Sequence, residues 1–157
     1  IKWCCSKKEG IHLIEPNENL TRGYIQMAEN AMGTMNREKN FNLQFAISAC
    51  YYSMYYSLYF ILMKIGVKCE IHACTLEFMK QFLLGFYSID EYKIIVKAFN
   101  TRNTSQYYVD KVIPQEDINF IFFEAVPFFN KSKEILSKIN EQDILRIRKK
   151  LKSSIKS

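Results

Sequence analysis

Between Lys39 and Lys64 lie 24 consecutive residues without a formal charge, a run long enough to cross a bilayer as a helix. A stretch of this kind either enters lipid or is surrounded by other protein elements. Its polar content decides between the two. The run carries Asn40, Asn42, Gln44, Ser48, Ser53 and Ser57 together with five tyrosines, at positions 51, 52, 55, 56 and 59. Lipid would have to solvate all of these groups, and tyrosine favours the membrane interface over the bilayer centre. A central helix whose hydroxyls find partners on neighbouring helices fits better. The sequence therefore predicts a helix from about Asn42 to Ile65, stopped by Gly66 at the C′ position, and no membrane insertion.

The remaining elements follow from helical periodicity and capping chemistry. Residues 1–16 read as an irregular or extended lead-in ending at Pro16. A first helix begins with Asn17 or Asn19 as its cap, has Leu20, Tyr24, Met27, Ala28, Ala31 and Met35 on its apolar face, and gives way to a turn at residues 37–40. A third helix runs from His72 to about Gly85. Ser88-Ile-Asp-Glu91 is a capping box that opens a fourth, expected to continue through Arg102 to Tyr108. Pro114 sits at the first turn of a fifth, in which Pro127 should produce a kink. With only five Gly and three Pro, an all-β fold short of tight turns is disfavoured. The expected fold is all-α, an up-and-down bundle of four to five helices. Its parts are the lead-in (1–16), a helical domain (17–139) and a basic C-terminal helix (140–157).

The formal net charge of +6 is concentrated near the end, where Arg146 to Lys156 holds six basic residues and no acid. That segment either contacts phosphate backbones or is a solvated, frayed helix. The five cysteines are an odd number and are expected as scattered free thiols, pointing to a reducing, cytoplasmic setting.

Most familiar chemistries find no footing. Cys69-x-x-His72-x-Cys74 mixes zinc-ligand types, with Cys4 and Cys5 as further donors. Yet no C-x-x-C pair exists, and Cys74 reads as a small core residue, so no metal is assigned. Phosphate-cradling glycine loops are absent, and no cofactor is implied. His12 and His72 are the only histidines, and Asp90-Glu91 is helix N-terminal charge. What remains is Arg102-Asn-Thr-Ser-Gln-Tyr107. Arg102 and Gln106 share a helical face, where a guanidinium could take two phosphate oxygens while amides and hydroxyls add donors. A surface arginine at a fraying helix end is the plain alternative.

Three segments occur here in a familiar order: Ser48-Ala-Cys-Tyr51-Tyr52-Ser-Met54-Tyr55, then Glu70-Ile-His72, then Arg102-Asn-Thr-Ser-Gln-Tyr107. In this, and over residues 17–137, the chain resembles HEPN-domain proteins of bacteria and archaea. The resemblance implies a homodimeric helical bundle with its motif helices lining a cleft between subunits. It also implies a minimal nucleotidyltransferase-type partner protein and a place in toxin–antitoxin or defence systems. Many members are metal-independent endoribonucleases in which an arginine cradles the scissile phosphate and a downstream histidine assists proton transfer. This sequence keeps Arg102 and the polar Asn103, but the histidine slot holds Tyr107 or Tyr108, and a phenol is a poor general base at neutral pH.

Three readings follow. In the first, the chain binds RNA or a nucleotide through Arg102, with Asn103, Gln106, Tyr107 and Tyr52 as neighbours. In the second it is a degenerate ribonuclease in which His72, borrowed from the third helix, serves with Arg102 as the catalytic pair. In the third it is a protein-interaction module that docks through aromatic residues of the second helix. There, Arg102 is held in an ion pair by Asp110, Glu116 or Asp117.

Overall fold

A computed structural model describes residues 1–156, with side chains through Ile155. The described residues form α1 (Lys2–Ser6), β1 (His12–Leu13), α2 (Glu18–Glu38), α3 (Leu43–Ile65), β2 (Val67–Lys68), α4 (His72–Phe78), α5 (Ile89–Tyr107), α6 (Gln115–Lys138) and α7 (Glu141–Lys156). The fold is an all-α bundle, and its one sheet is the two-residue antiparallel pairing of β1 with β2. Among the described residues no helix is long and apolar enough to cross a membrane.

The uncharged stretch becomes the centre of the bundle. Of the 23 residues of α3, 17 are buried, including Tyr51, Tyr55 and Tyr59. Its hydroxyls are satisfied internally: Ser53 donates to the Cys50 carbonyl and Ser57 to the Ser53 carbonyl. α2 runs antiparallel to it, since the Asn17 amide donates to the Met63 carbonyl and Glu18 pairs with Lys64 at the far end. α5 is antiparallel on another side, with Gln44 of α3 donating to the Ser105 carbonyl near the end of α5. α6 closes the core, and the Cys50 thiol donates to its Ile121 carbonyl. The remaining aromatic exposure of α3 is confined to Phe45 and the half-buried Tyr52 and Tyr56.

Local chemistry sets the ends of the elements. The Asn17 and Asn42 side chains accept from the Leu20 and Phe45 amides, and the Ser88–Glu91 capping box forms in both directions. Helix α4 is shorter than expected, because Met79–Leu83 winds as a wider π-helical turn. α6 runs continuously through Pro127.

Three expectations are corrected. The lead-in holds a short helix and a strand. Its amide at Ile11 donates to the Cys4 carbonyl, and its Glu9 carbonyl accepts from Glu70. The cysteines are not all free: Cys4 of α1 and Cys74 of α4 form a disulfide across 70 residues, leaving Cys5, Cys50 and Cys69 as thiols. A disulfide here fixes the first helix against α4, which local periodicity cannot report. The basic C-terminal helix is not a solvated, frayed end, because Ile147 and Leu151 are buried in the core. Its Arg148 reaches inward and donates to the carbonyls of Ile14, Ile65 and Gly66 at 2.8, 3.0 and 2.9 Å. The Ile65 and Gly66 carbonyls close α3, where a cation suits the negative end of the helix dipole, and Gly66 also accepts from the Ile14 amide.

Candidate functional site

α5 crosses the N-terminal half of α3 so that Arg102 faces Tyr52. One terminal guanidinium nitrogen donates to Asn103 Oδ1 at 3.0 Å and the other makes a long contact to the Tyr52 hydroxyl at 3.4 Å. The guanidinium carbon lies 5.6 Å from the Tyr52 ring centroid and 5.7 Å from that of Tyr107. Arg102 is half-buried, and its Nε is buried with no hydrogen-bond partner. Arg102 makes no ion pair among the described residues. The expected carboxylates do not reach it, since Asp117 pairs with Lys97 at 2.5 Å.

A half-buried cation without a counter-charge is costly: a buried unsatisfied donor loses roughly 1–3 kcal/mol, and more when the group is charged. The two aromatic faces offset part of that through the ring quadrupole. Other concavities differ in this respect. A cavity of about 450 Å³ beside α5 is lined by Lys93 and Lys97, each with a carboxylate partner. Another, of about 620 Å³ beside α7, is lined by Lys64, paired with Glu18, and by Arg148, whose guanidinium is engaged by carbonyls. Arg102, by contrast, has no carboxylate partner among the described residues.

The expected site residues gather in one place. Gln106, one turn beyond Arg102, donates from Nε2 to Ser48 Oγ at 2.8 Å, which ties α5 to α3. Tyr52, Gln106 and Ser48 line a concavity of about 310 Å³ with Phe45, Tyr56 and Ala31. Tyr107, whose ring lies near the Arg102 guanidinium, is 67 % exposed. Asn103 orients the guanidinium.

His72 stands on the other side of Tyr52, the two ring centroids 5.9 Å apart. Its Nδ1 shares a 2.8 Å hydrogen bond with the Tyr51 hydroxyl, and its ring stacks on Tyr55 at 4.2 Å. Burial pushes the Tyr51 and Tyr55 phenols well above their ordinary value, so both remain protonated. Burial also lowers the His72 pKa, and the nearby Arg102 charge lowers it further. The imidazole is therefore neutral near pH 7. Sequence reasoning did not single out Tyr51 and Tyr55 for a role at this histidine. The i, i+4 spacing of Ser48, Tyr52 and Tyr56 was the available signal for the wall that faces α5.

The lowered His72 pKa has a consequence for stability. Below the ordinary imidazole range of about 6.5, the unfolded chain takes up a proton at this position more readily than the folded one. Acidification through that range therefore favours unfolding. Urea midpoints measured from about pH 7 down to about pH 5 should fall more steeply for the wild type than for His72→Gln. Parallel pH profiles for the two proteins would contradict this placement of the imidazole.

No family model matches the chain. A protein of Methanocaldococcus jannaschii bearing the name "Putative toxin MJ0142" is 28% identical over 94 residues, which cover 59% of this chain. The chain matches 64% of that relative's length, short of two thirds. A distant, partial homologue thus carries a toxin's name.

Proposed function

We propose that this chain is a HEPN-like protein that binds RNA or a nucleotide at Arg102. The observation that carries the reading is the half-buried guanidinium with no carboxylate, 5.6 and 5.7 Å from the Tyr52 and Tyr107 ring centroids, the first of which lines a neighbouring concavity. A phosphate there would supply a counter-charge and could accept from the terminal guanidinium nitrogens, whose present partners are the neutral Asn103 and Tyr52. Gln106 and Asn103 hold the arginine's surroundings in place, and Tyr52 and Tyr107 offer faces to a base. The toxin name of the distant relative supports a role in a toxin–antitoxin pair. In that setting the chain acts as a homodimer, with a nucleotidyltransferase-type protein as partner. The basic face of α7 adds non-specific affinity for phosphate backbones.

The test is binding of a short RNA to wild type and Arg102→Ala at a fixed, stated salt concentration. Losing a charge-assisted bidentate contact should weaken binding by about ten-fold or more. Equal affinity, with unchanged circular dichroism, removes Arg102 from the site.

A second reading, metal-independent RNA cleavage, is favoured by one observation: His72 packs against Tyr52 close enough to Arg102 that burial and the guanidinium charge both lower its pKa. A neutral imidazole can accept the 2′-hydroxyl proton while the arginine stabilises the phosphorane charge. Cleavage in EDTA that disappears in His72→Ala would support it. Cleavage that survives that substitution excludes the histidine from the mechanism.

A further inference from the structure

We infer that the concavity between α2 and α3, next to Arg102, is a subsite for a single unpaired nucleobase. This deepens the reading above and rests on it. The walls are of the right kind. Tyr52 and Tyr56 lie ring against ring, their centroids 5.5 Å apart and their planes 28° apart, and the Arg102 guanidinium sits over the first of them. A continuous aromatic path therefore leads from the cation into the concavity, which Phe45 and the small Ala31 complete. A ligand matching this path is flat and aromatic at one end and anionic at the other.

The polar atoms that face the space support the same chemistry. Ser48 Oγ is fully engaged, donating to the Gln44 carbonyl and accepting from Gln106. Thr34 Oγ1 likewise donates to the Asn30 carbonyl and accepts from Arg37. The side-chain carbonyl of Gln106 and the Tyr56 hydroxyl make no hydrogen bond among the described residues, so both are available to the edge of a base. An acceptor and a hydroxyl suit the amino and ring-nitrogen groups of a base edge. Phe45 is 62 % exposed, which extends the aromatic surface outward for a neighbouring base. A duplex keeps its bases stacked and paired, and cannot place one in a side pocket without unpairing it. The class of ligand is thus a mononucleotide or a single-stranded RNA.

Adenosine monophosphate and ribose 5-phosphate, titrated separately into the full chain, test this. One short RNA is compared as single strand and as duplex. The nucleotide should bind at least ~10-fold more tightly than the sugar phosphate, the usual scale of one base stacked on an aromatic ring. The single strand should likewise exceed the duplex. Ala31→Leu places a good helix former on α2 and fills the concavity without touching Arg102. It should erase the nucleotide's advantage and leave ribose 5-phosphate binding unchanged. Tyr56→Ala removes a wall instead and should act in the same direction. Equal affinity of the two probes in the wild type overturns the base subsite. A nucleotide advantage retained in both folded variants does the same. If Arg102→Ala weakens both probes while Ala31→Leu and Tyr56→Ala weaken neither, the anion site stands and the base subsite falls. If Arg102→Ala changes nothing, both fall together.

Discussion

Reduction of the Cys4–Cys74 bond is expected to lower the thermal midpoint of this protein by roughly 10 °C. The bond closes a segment of 70 residues, one that contains α2 and α3, and so removes much of the unfolded chain's freedom. Loop-closure entropy for a loop of that length is worth about 4 kcal/mol. A chain of this size moves its midpoint by a few degrees per kcal/mol. Both sulfurs are also well placed in the folded state, since Cys4 and Cys74 are buried. Cys4→Ser and Cys74→Ser should each reproduce the effect of reductant, and the double variant should add little, because one bond is lost in every case. A thiol assay on unfolded, unreduced protein should count three thiols, those of Cys5, Cys50 and Cys69. Five thiols, or a midpoint indifferent to reductant, would contradict the pairing.

Gly66→Ala is expected to cost about 3 kcal/mol or more, read from a urea or thermal unfolding curve. Gly66 ends α3 in the left-handed region with φ of +80°, where a side chain costs roughly 1–2 kcal/mol. Space adds a second penalty. A Cβ there would stand 2.6 Å from the Ile14 carbonyl oxygen, a backbone atom that holds the strand leading to α2, and would also collide with the Arg148 guanidinium. Moving that arginine takes a donor from the carbonyls of Ile14, Ile65 and Gly66, of which Gly66 keeps the Ile14 amide. Arg148→Ala should therefore destabilise as well, and the two substitutions together should cost less than their sum. A loss below about 0.5 kcal/mol for Gly66→Ala would show that this junction tolerates rearrangement.

The two junctions also mark the boundary of what the sequence made legible. Helix ends governed by a side chain three residues away were readable: Asn17, one of two candidates, and Ser88 cap their helices, α3 starts from Asn42 as expected, and Gly66 closes it. The polar content of the uncharged stretch likewise pointed to a central helix. Features that depend on distant partners were not readable. The pairing of His12 with Lys68, the disulfide and the inward turn of Arg148 each join segments more than fifty residues apart. A basic run carries no mark of which residue turns inward.

The candidate site divides in the same way. Arg102 and Gln106 stood on one face by spacing alone, one turn apart. That Gln106 would be held by Ser48, or His72 by Tyr51, required the packing of α5 and α4 on α3. The carboxylates near Arg102 in sequence were misleading for a physical reason. α5 ends at Tyr107, and Asp117 beyond it meets Lys97 on another side of that helix. The vacant counter-charge position at Arg102 is thus a tertiary property, and it is the one on which the functional reading depends.

The most direct measurement is the nuclear magnetic resonance signal of the Arg102 Nε–H, assigned by its disappearance in Arg102→Lys and followed as adenosine monophosphate is added. That proton sits on a buried nitrogen without a partner. The account predicts a saturable shift and slowed solvent exchange of this reporter as a phosphate settles against the terminal nitrogens of the same guanidinium. A signal that stays unmoved while nucleotide binds elsewhere, or that stays unmoved because nothing binds, would contradict the assignment of this arginine as the anion site.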